Sequence, residues 1–131
     1  MISILPDTLA AALTAEFSGF SSAELREAAD RLSQAYRGNA RIRATLSPLE
    51  RAAYLAVRFP STFAAANLVW QEIAALSPPT ELTSILDAGS GPGTASLAAD
   101  RIVPQGVKFT RLERDAGWRD VAERLATACK L

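Results

Sequence analysis

The sequence predicts an α/β protein in which an N-terminal bundle of about four helices precedes the first half of a doubly wound parallel sheet. Two observations predict this class. Residues 1–79 carry apolar side chains at intervals of three and four, the spacing of a helix buried on one face. Residues 80–131 follow the order strand, helix, strand, helix, which is typical of a parallel sheet with crossover helices. We therefore expect two domains, 1–79 and 80–131.

The composition is that of a folded protein and excludes several kinds of site. The 131 residues are 49% hydrophobic, and 14 Lys+Arg balance 14 Asp+Glu, which excludes disorder of the whole chain. The lack of histidine and the single cysteine exclude a Ser-His-Asp triad, a His-ligated metal and a disulfide framework in this chain. No metal site is predicted. No apolar run reaches the roughly 18 residues of a membrane span, and the N-terminus lacks a basic signal region, so we expect a cytoplasmic location and no membrane partner.

Polar residues that can cap a helix mark the beginning of each predicted helix. The strongest signal lies at 47–50, because Ser47 precedes a proline at the first helical position and Glu50 follows three residues later. Ser21 and Glu24 form the capping-box pattern of another helix. The other boundary signals are Asp7 or Thr8 for the first helix, Gly38-Asn39 for the end of the second, Pro60 for the end of the third, and Ser61 or Thr62 for the start of the fourth. The buried face predicted for the fourth helix carries Phe63, Ala66, Trp70 and Ile73.

Short apolar runs and helical periodicity alternate in the second half. Residues 82–87 are predicted to form a buried strand, and 107–112 a second strand. Helices are predicted over 94–102 and 116–128, with a glycine-rich turn before the first of them.

The glycine-rich turn is the most informative motif, because it follows a strand and opens a helix. Glycines permit a positive φ and carry no Cβ, so the backbone can lie close to a ligand. Asp87 supplies a carboxylate at the end of the first strand, and Glu113 ends the second strand, 20 residues after Gly93. An acidic residue at that point can bind the ribose hydroxyls of an adenosine. The candidate cofactor-binding residues are Asp87, Gly89, Ser90, Gly91, Gly93 and Glu113.

Two classes of cofactor compete for this motif. A dinucleotide fingerprint has the spacing G-x-G-x-x-G, whereas the glycines here stand at 89, 91 and 93, with Thr94 next. A carboxylate beside a pyrophosphate would be repulsive, but Asp87 suits a cationic methionine group. These features favour S-adenosyl-L-methionine over NAD, and an NAD-binding oxidoreductase remains the less favoured alternative.

Residues 85–94 resemble the first motif of the class I S-adenosylmethionine-dependent methyltransferases. Residues 54–65 are similar to a helix-break-helix segment of one group, the methyltransferase-like proteins of mitochondrial small-ribosomal-subunit assembly and their bacterial relatives. Residues 112–115 are similar to the end of the second strand in that group. The resemblance implies a Rossmann-like methyltransferase domain, of which residues 80–131 would be the first half.

The resemblance also implies roles for the candidate residues. Gly89 and Gly91 would line the methionine and ribose side of the cofactor, Asp87 would hold the methionine end, and Glu113 would bind the two ribose hydroxyls. Arg114 departs from the apolar residue that often packs on adenine in such proteins, although a guanidinium plane can stack there instead.

The implied function is methyl transfer to ribosomal RNA or to a protein of the small ribosomal subunit. The alternative is a ribosome-assembly factor that keeps the cofactor pocket without turnover. No catalytic residue is assigned. A complete methyltransferase sheet has more strands than these two, so we expect the chain to be a fragment, and its exposed half-sheet offers a surface for dimerisation.

A group of arginines before the glycine motif leaves two interpretations open. The window contains Arg37, Arg41, Arg43, Arg51 and Arg58 but one acidic residue, Glu50. Such a group can contact RNA phosphates, or it can be the solvated surface of a helix and loop.

Overall fold

A computed structural model describes residues 5–38 and 45–131. These residues form six helices and one parallel sheet of two strands, so the predicted α/β class and the order strand, helix, strand, helix are confirmed. The elements are α1 (Asp7–Phe17), α2 (Ser22–Arg37), α3 (Pro48–Val57), α4 (Phe59–Leu76), β1 (Ser84–Ala88), α5 (Thr94–Ala99), β2 (Lys108–Leu112) and α6 (Ala116–Cys129). The predicted end of the second helix is confirmed at Gly38, while Asn39 lies outside the described residues.

Capping boxes begin α2 and α3, as predicted. In α3 the Ser47 N–H donates to Glu50 Oε2 at 2.7 Å, and the Glu50 N–H donates back to Ser47 Oγ at 3.2 Å. Ser21 and Glu24 exchange the same pair of bonds at α2, and the backbone hydrogen bond from Ser21 lowers the pKa of the Glu24 carboxyl. The predicted cap of α1 is wrong. Asp7 lies inside the first turn after Pro6, and no side chain caps that helix.

We expect Ser47→Ala to lower the free energy of unfolding by about 1 kcal/mol, because the Glu50 N–H loses its acceptor at the start of α3. Denaturant unfolding followed by circular dichroism measures this change. Ser18→Ala is the matched control, since the exposed Ser18 hydroxyl only donates to the Ala15 carbonyl after α1. Equal destabilisation by both variants would contradict a specific role for the cap.

The break between α3 and α4 lies at Arg58, not at Pro60 as predicted. Helix α4 begins at Phe59, and Pro60 sits in its first turn, where the missing proline N–H breaks no helical hydrogen bond. The Ser61 and Thr62 hydroxyls do not cap α4. Each instead donates to the Arg58 carbonyl at 3.0 Å. Pro60, which was predicted to end α3, therefore belongs to the beginning of α4.

One hydrophobic core receives side chains from both halves of the chain. Phe59 and Phe63 of α4 are fully buried, and their ring centroids lie 6.1 Å apart. The other buried members are Leu9, Leu13, Leu55, Leu97, Ala98, Val121 and Leu125. Trp70 packs against this core as predicted, but Ile73 is 42% exposed, so the predicted buried face of α4 is too long.

The two strands run parallel, in register from Ser84 opposite Lys108 to Ala88 opposite Leu112. Their carboxyl ends therefore meet at one edge of the sheet. Side chains on one face are half-buried, whereas Leu86 and Leu112 on the other face are 64% and 53% exposed. The buried strand predicted over 82–87 is observed over 84–88, and the prediction of burial is wrong for that face, because no helix of the described residues covers it. Dimerisation through this face stays a prediction.

Across residues 5–38 and 45–131, no helix combines the length and the apolar character that crossing a membrane requires.

Candidate functional site

The glycine-rich loop lies where β1 ends and is fastened to the end of β2. The Gly89 and Ser90 N–H groups both donate to the Leu112 carbonyl, at 2.8 and 3.0 Å. Gly89, Gly91 and Gly93 have φ of +70°, +52° and +81°, values that an L-residue with a Cβ adopts only with strain. The loop thus requires glycine at three positions, in agreement with the conformation predicted from the motif.

Glu113 lies at this loop, although 22 residues separate it from Gly91. The Gly91 N–H donates to Glu113 Oε2, and the Asp115 N–H donates to Glu113 Oε1, each at 2.9 Å. An ionised carboxylate has about four acceptor positions, so two remain for hydroxyl donors of a ligand. Glu113 therefore lies after β2 and beside the glycine loop, as the sequence predicted, while its contact with a ribose stays a prediction.

Asp87 is held by a residue that sequence reasoning missed. The Ser96 hydroxyl of α5 donates to Asp87 Oδ2 at 2.7 Å, and Ser96 itself is buried. A polar residue in the first turn after the glycine motif was the available signal. This bond orients the Asp87 carboxylate and leaves it further acceptor capacity.

Open space adjoins the loop on the side of Glu113. A cleft of about 690 Å³ is bordered by Gly89, Glu113 and Arg114, among others, which is within the usual range of about 300 to 1,000 Å³ for small-molecule sites. Apart from chain neighbours, a Cβ at Gly89 or Gly91 would meet no heavy atom of the described residues within 4 Å. The backbone at these two glycines is thus open to a ligand.

Gly93 faces protein instead. A Cβ there would lie 3.5 Å from Arg111 Cδ and 3.8 Å from the Cβ of Ala122 in α6. Gly93 therefore serves the turn and the packing of α6, and its predicted contact with a cofactor stays a prediction.

Ser90 carries a buried hydroxyl that no hydrogen bond from the described residues satisfies. It borders a smaller cavity of about 170 Å³ that Glu113 also lines. A buried hydroxyl without a partner is costly, so a bound group or water in this cavity would stabilise the loop.

Two further arginines border the large cleft beside Arg114. Arg119 Nη1 donates to the carbonyls of Glu113 and Arg114, at 2.8 and 2.7 Å, and so fixes the backbone after β2. Arg111 lies 3.8 Å from the Glu123 carboxylate of α6. Sequence reasoning missed Arg119, because its role depends on how α6 turns back over the end of β2.

The arginine window does not form one surface. Arg37 and Arg58 are exposed, whereas the Arg51 side chain is only 16% exposed and faces Asp115. Arg41 and Arg43 lie outside the described residues. Arg51 is thus removed from the group that could contact RNA phosphates.

Comparison with known proteins identifies a family. The model of the family described as mitochondrial small ribosomal subunit Rsm22 matches residues 48–131, which is more than half of the chain and includes α3 to α6 with the whole loop site. No curated protein and no solved structure matches the chain. The matched residues run from the start of α3 to the end of the given sequence, and the chain belongs to the mitochondrial small ribosomal subunit Rsm22 family.

Proposed function

We propose that the chain binds S-adenosyl-L-methionine at the carboxyl edge of the sheet and takes part in methyl transfer on or with the small ribosomal subunit. The observation that carries the proposal is the contact between Gly91 and Glu113. It brings an acidic residue from the end of β2 to an open glycine turn at the end of β1. This is the edge of a parallel sheet at which nucleoside ligands bind.

The residues at this edge fit the cofactor. Glu113 keeps two acceptor positions, which match the two hydroxyl donors of a ribose. Asp87, at the end of β1, supplies a carboxylate for the ammonium of the methionine end. Gly89 and Gly91 leave room for the ligand to approach the backbone. Arg114 borders the same cleft, and its guanidinium plane is suited to stack on adenine.

When bound, the cofactor supplies an electrophilic methyl group on a cationic sulfur. The contribution of this chain is binding and orientation. Asp87 and Glu113 hold the two ends of the ligand from two different strands, and Ser96 and Arg119 fix those strand ends. A methyl donor that is held in a fixed orientation lowers the entropic part of the activation barrier to methyl transfer once the methyl acceptor is bound.

The description of the matching family supports a partner in the ribosome. It names the mitochondrial small ribosomal subunit, and we therefore propose that ribosomal RNA or a ribosomal protein of that subunit is the methyl acceptor. The cytoplasmic location expected from the sequence stays a prediction beside that mitochondrial description.

Calorimetric titration of the protein with S-adenosyl-L-methionine, S-adenosylhomocysteine and NADH tests the cofactor. We expect saturable binding of the two sulfur compounds and no heat with NADH, because Asp87 disfavours a pyrophosphate. Binding of NADH alone would overturn the assignment in favour of an oxidoreductase.

Incubation with S-adenosyl-L-methionine labelled in the methyl group and with isolated small ribosomal subunits tests the transfer. We expect label in RNA or in protein, and separation of the two identifies the acceptor class. Cofactor binding with no transfer of label would instead support a non-catalytic assembly factor.

A further inference from the structure

We propose that Arg51 of α3 is a positioning residue for Glu113 and acts through Asp115. Its effect on a ligand rests on the function proposed above, because Glu113 is assigned to the ribose hydroxyls there. Arg51 lies outside the glycine motif and 62 residues before Glu113 in the sequence.

Arg51 and Asp115 form a nearly buried ion pair between α3 and the start of α6. Arg51 Nη1 lies 3.9 Å from Asp115 Oδ1, and the two side chains are 16% and 6% exposed. The same nitrogen donates to the Leu46 carbonyl just before α3. Removing one member of such a pair leaves a buried charge without compensation, so the partner must move or be hydrated.

Asp115 links this pair directly to Glu113. Its Oδ1 accepts from the Trp118 N–H at 2.9 Å and caps α6. Its backbone N–H donates to Glu113 Oε1 at 2.9 Å. Glu113 in turn accepts from Gly91. A continuous series of contacts thus connects Arg51 with the glycine loop, and two of them, Arg51 to Asp115 and Asp115 to Glu113, depend directly on the position of Asp115.

Gly117 provides the space that this arrangement needs. A Cβ at position 117 would overlap the guanidinium of Arg51. Gly117 is the second residue of α6, and the guanidinium of Arg51 lies where the Cβ of any other residue would stand. The glycine is explained by the guanidinium lying against the helix backbone.

The test compares affinities for S-adenosylhomocysteine and for its 2′,3′-dideoxy analogue, which lacks the groups assigned to Glu113. For the wild-type protein we expect the hydroxylated ligand to bind more tightly. For Arg51→Met and Gly117→Ala we expect this preference to fall by about 2- to 30-fold, the range found for changes within contact networks. Arg51→Lys keeps the charge and should retain part of the preference.

Arg31→Met is the matched control, because Arg31 also forms an ion pair, with Glu27 at 2.7 Å in α2, where both side chains are exposed. It should leave the preference unchanged. Melting temperatures of all variants are measured in parallel. If Arg51→Met fails to fold, Gly117→Ala carries the test, since it displaces the guanidinium without removing the charge.

A double-mutant cycle adds a second criterion. In an Arg51→Ala background the added methyl of Gly117→Ala has nothing to displace, so its effect on the preference should disappear. An unchanged preference in both Arg51→Met and Gly117→Ala, with affinity for both ligands lowered equally, would overturn the proposal and leave Arg51 a structural role. Failure of the wild-type protein to bind S-adenosylhomocysteine would instead refute the proposed function.

Discussion

Gly91→Trp is expected to abolish the binding of S-adenosyl-L-methionine while leaving the helices folded. The backbone of Gly91 has a φ of +52°, and its Cβ position opens into unoccupied space at the end of β1. An indole there would project from the turn to which we assign the ligand and block its approach to the backbone. The positive φ adds about 1 to 2 kcal/mol of local strain. Calorimetric titration measures the loss of binding, and far-ultraviolet circular dichroism checks the helices.

Gly106→Trp is the matched control for this substitution. Gly106 also has a positive φ, of +86°, and a Cβ there would likewise meet no heavy atom of the described residues within 4 Å apart from its chain neighbours. It precedes β2 and therefore lies at the amino edge of the sheet, opposite the loop. Gly106→Trp adds the same indole at another position with positive φ, but away from the loop. This variant should bind the cofactor normally. Unaltered affinity in Gly91→Trp would refute the proposed site.

Glu113→Gln is expected to weaken binding of S-adenosyl-L-methionine by about 10- to 150-fold, which corresponds to about 1.5 to 3 kcal/mol for a lost charge-assisted hydrogen bond. The amide has one acceptor oxygen, whereas the Gly91 and Asp115 N–H groups each donate to a separate carboxylate oxygen. One of these donors would therefore face the NH₂ group of the glutamine. The substitution impairs both the ribose contact and the attachment of the loop.

Glu27→Gln provides the same chemical change far from the loop. Glu27 is an exposed residue of α2 that pairs with Arg31 one turn later, and surface pairs of this kind contribute little. We expect normal affinity in this control and a similar unfolding free energy. Equal affinities of Glu113→Gln and Glu27→Gln for S-adenosyl-L-methionine would show that the carboxylate at the end of β2 does not bind the ligand.

Local signals predicted those elements whose ends are determined by neighbouring residues. The capping boxes at Ser21 and Ser47 were readable because the bonds they form span three residues. The boundary at Pro60 was misjudged because a proline is compatible with both the end of one helix and the first turn of the next. In the folded protein α4 begins at Phe59, which is fully buried in the core, so Pro60 lies in the first turn of that helix.

The candidate site could be predicted in part, because spacing along the chain also indicates which residues meet at one edge of a sheet. The spacing of the glycines and of Glu113 indicated one edge of a parallel sheet, and the contact between Gly91 and Glu113 agrees with that arrangement. The bond from Ser96 to Asp87 was not foreseen. The polar residue in the first turn of α5 was a signal for such a bond, but its partner depends on the direction in which α5 leaves the loop.

The class of fold, the two strong helix caps and the meeting of Gly91 with Glu113 could be predicted without a structure, because each follows from backbone preferences and from spacing along the chain. Three features were visible in the folded protein alone: Arg51 turns inward to Asp115, Gly117 makes room for it, and Leu86 and Leu112 stay exposed. These features arise from how α3, α6 and the sheet pack. Such packing depends on contacts between residues far apart in the chain, and the hydrophobic periodicity of a single helix or strand does not predict these contacts.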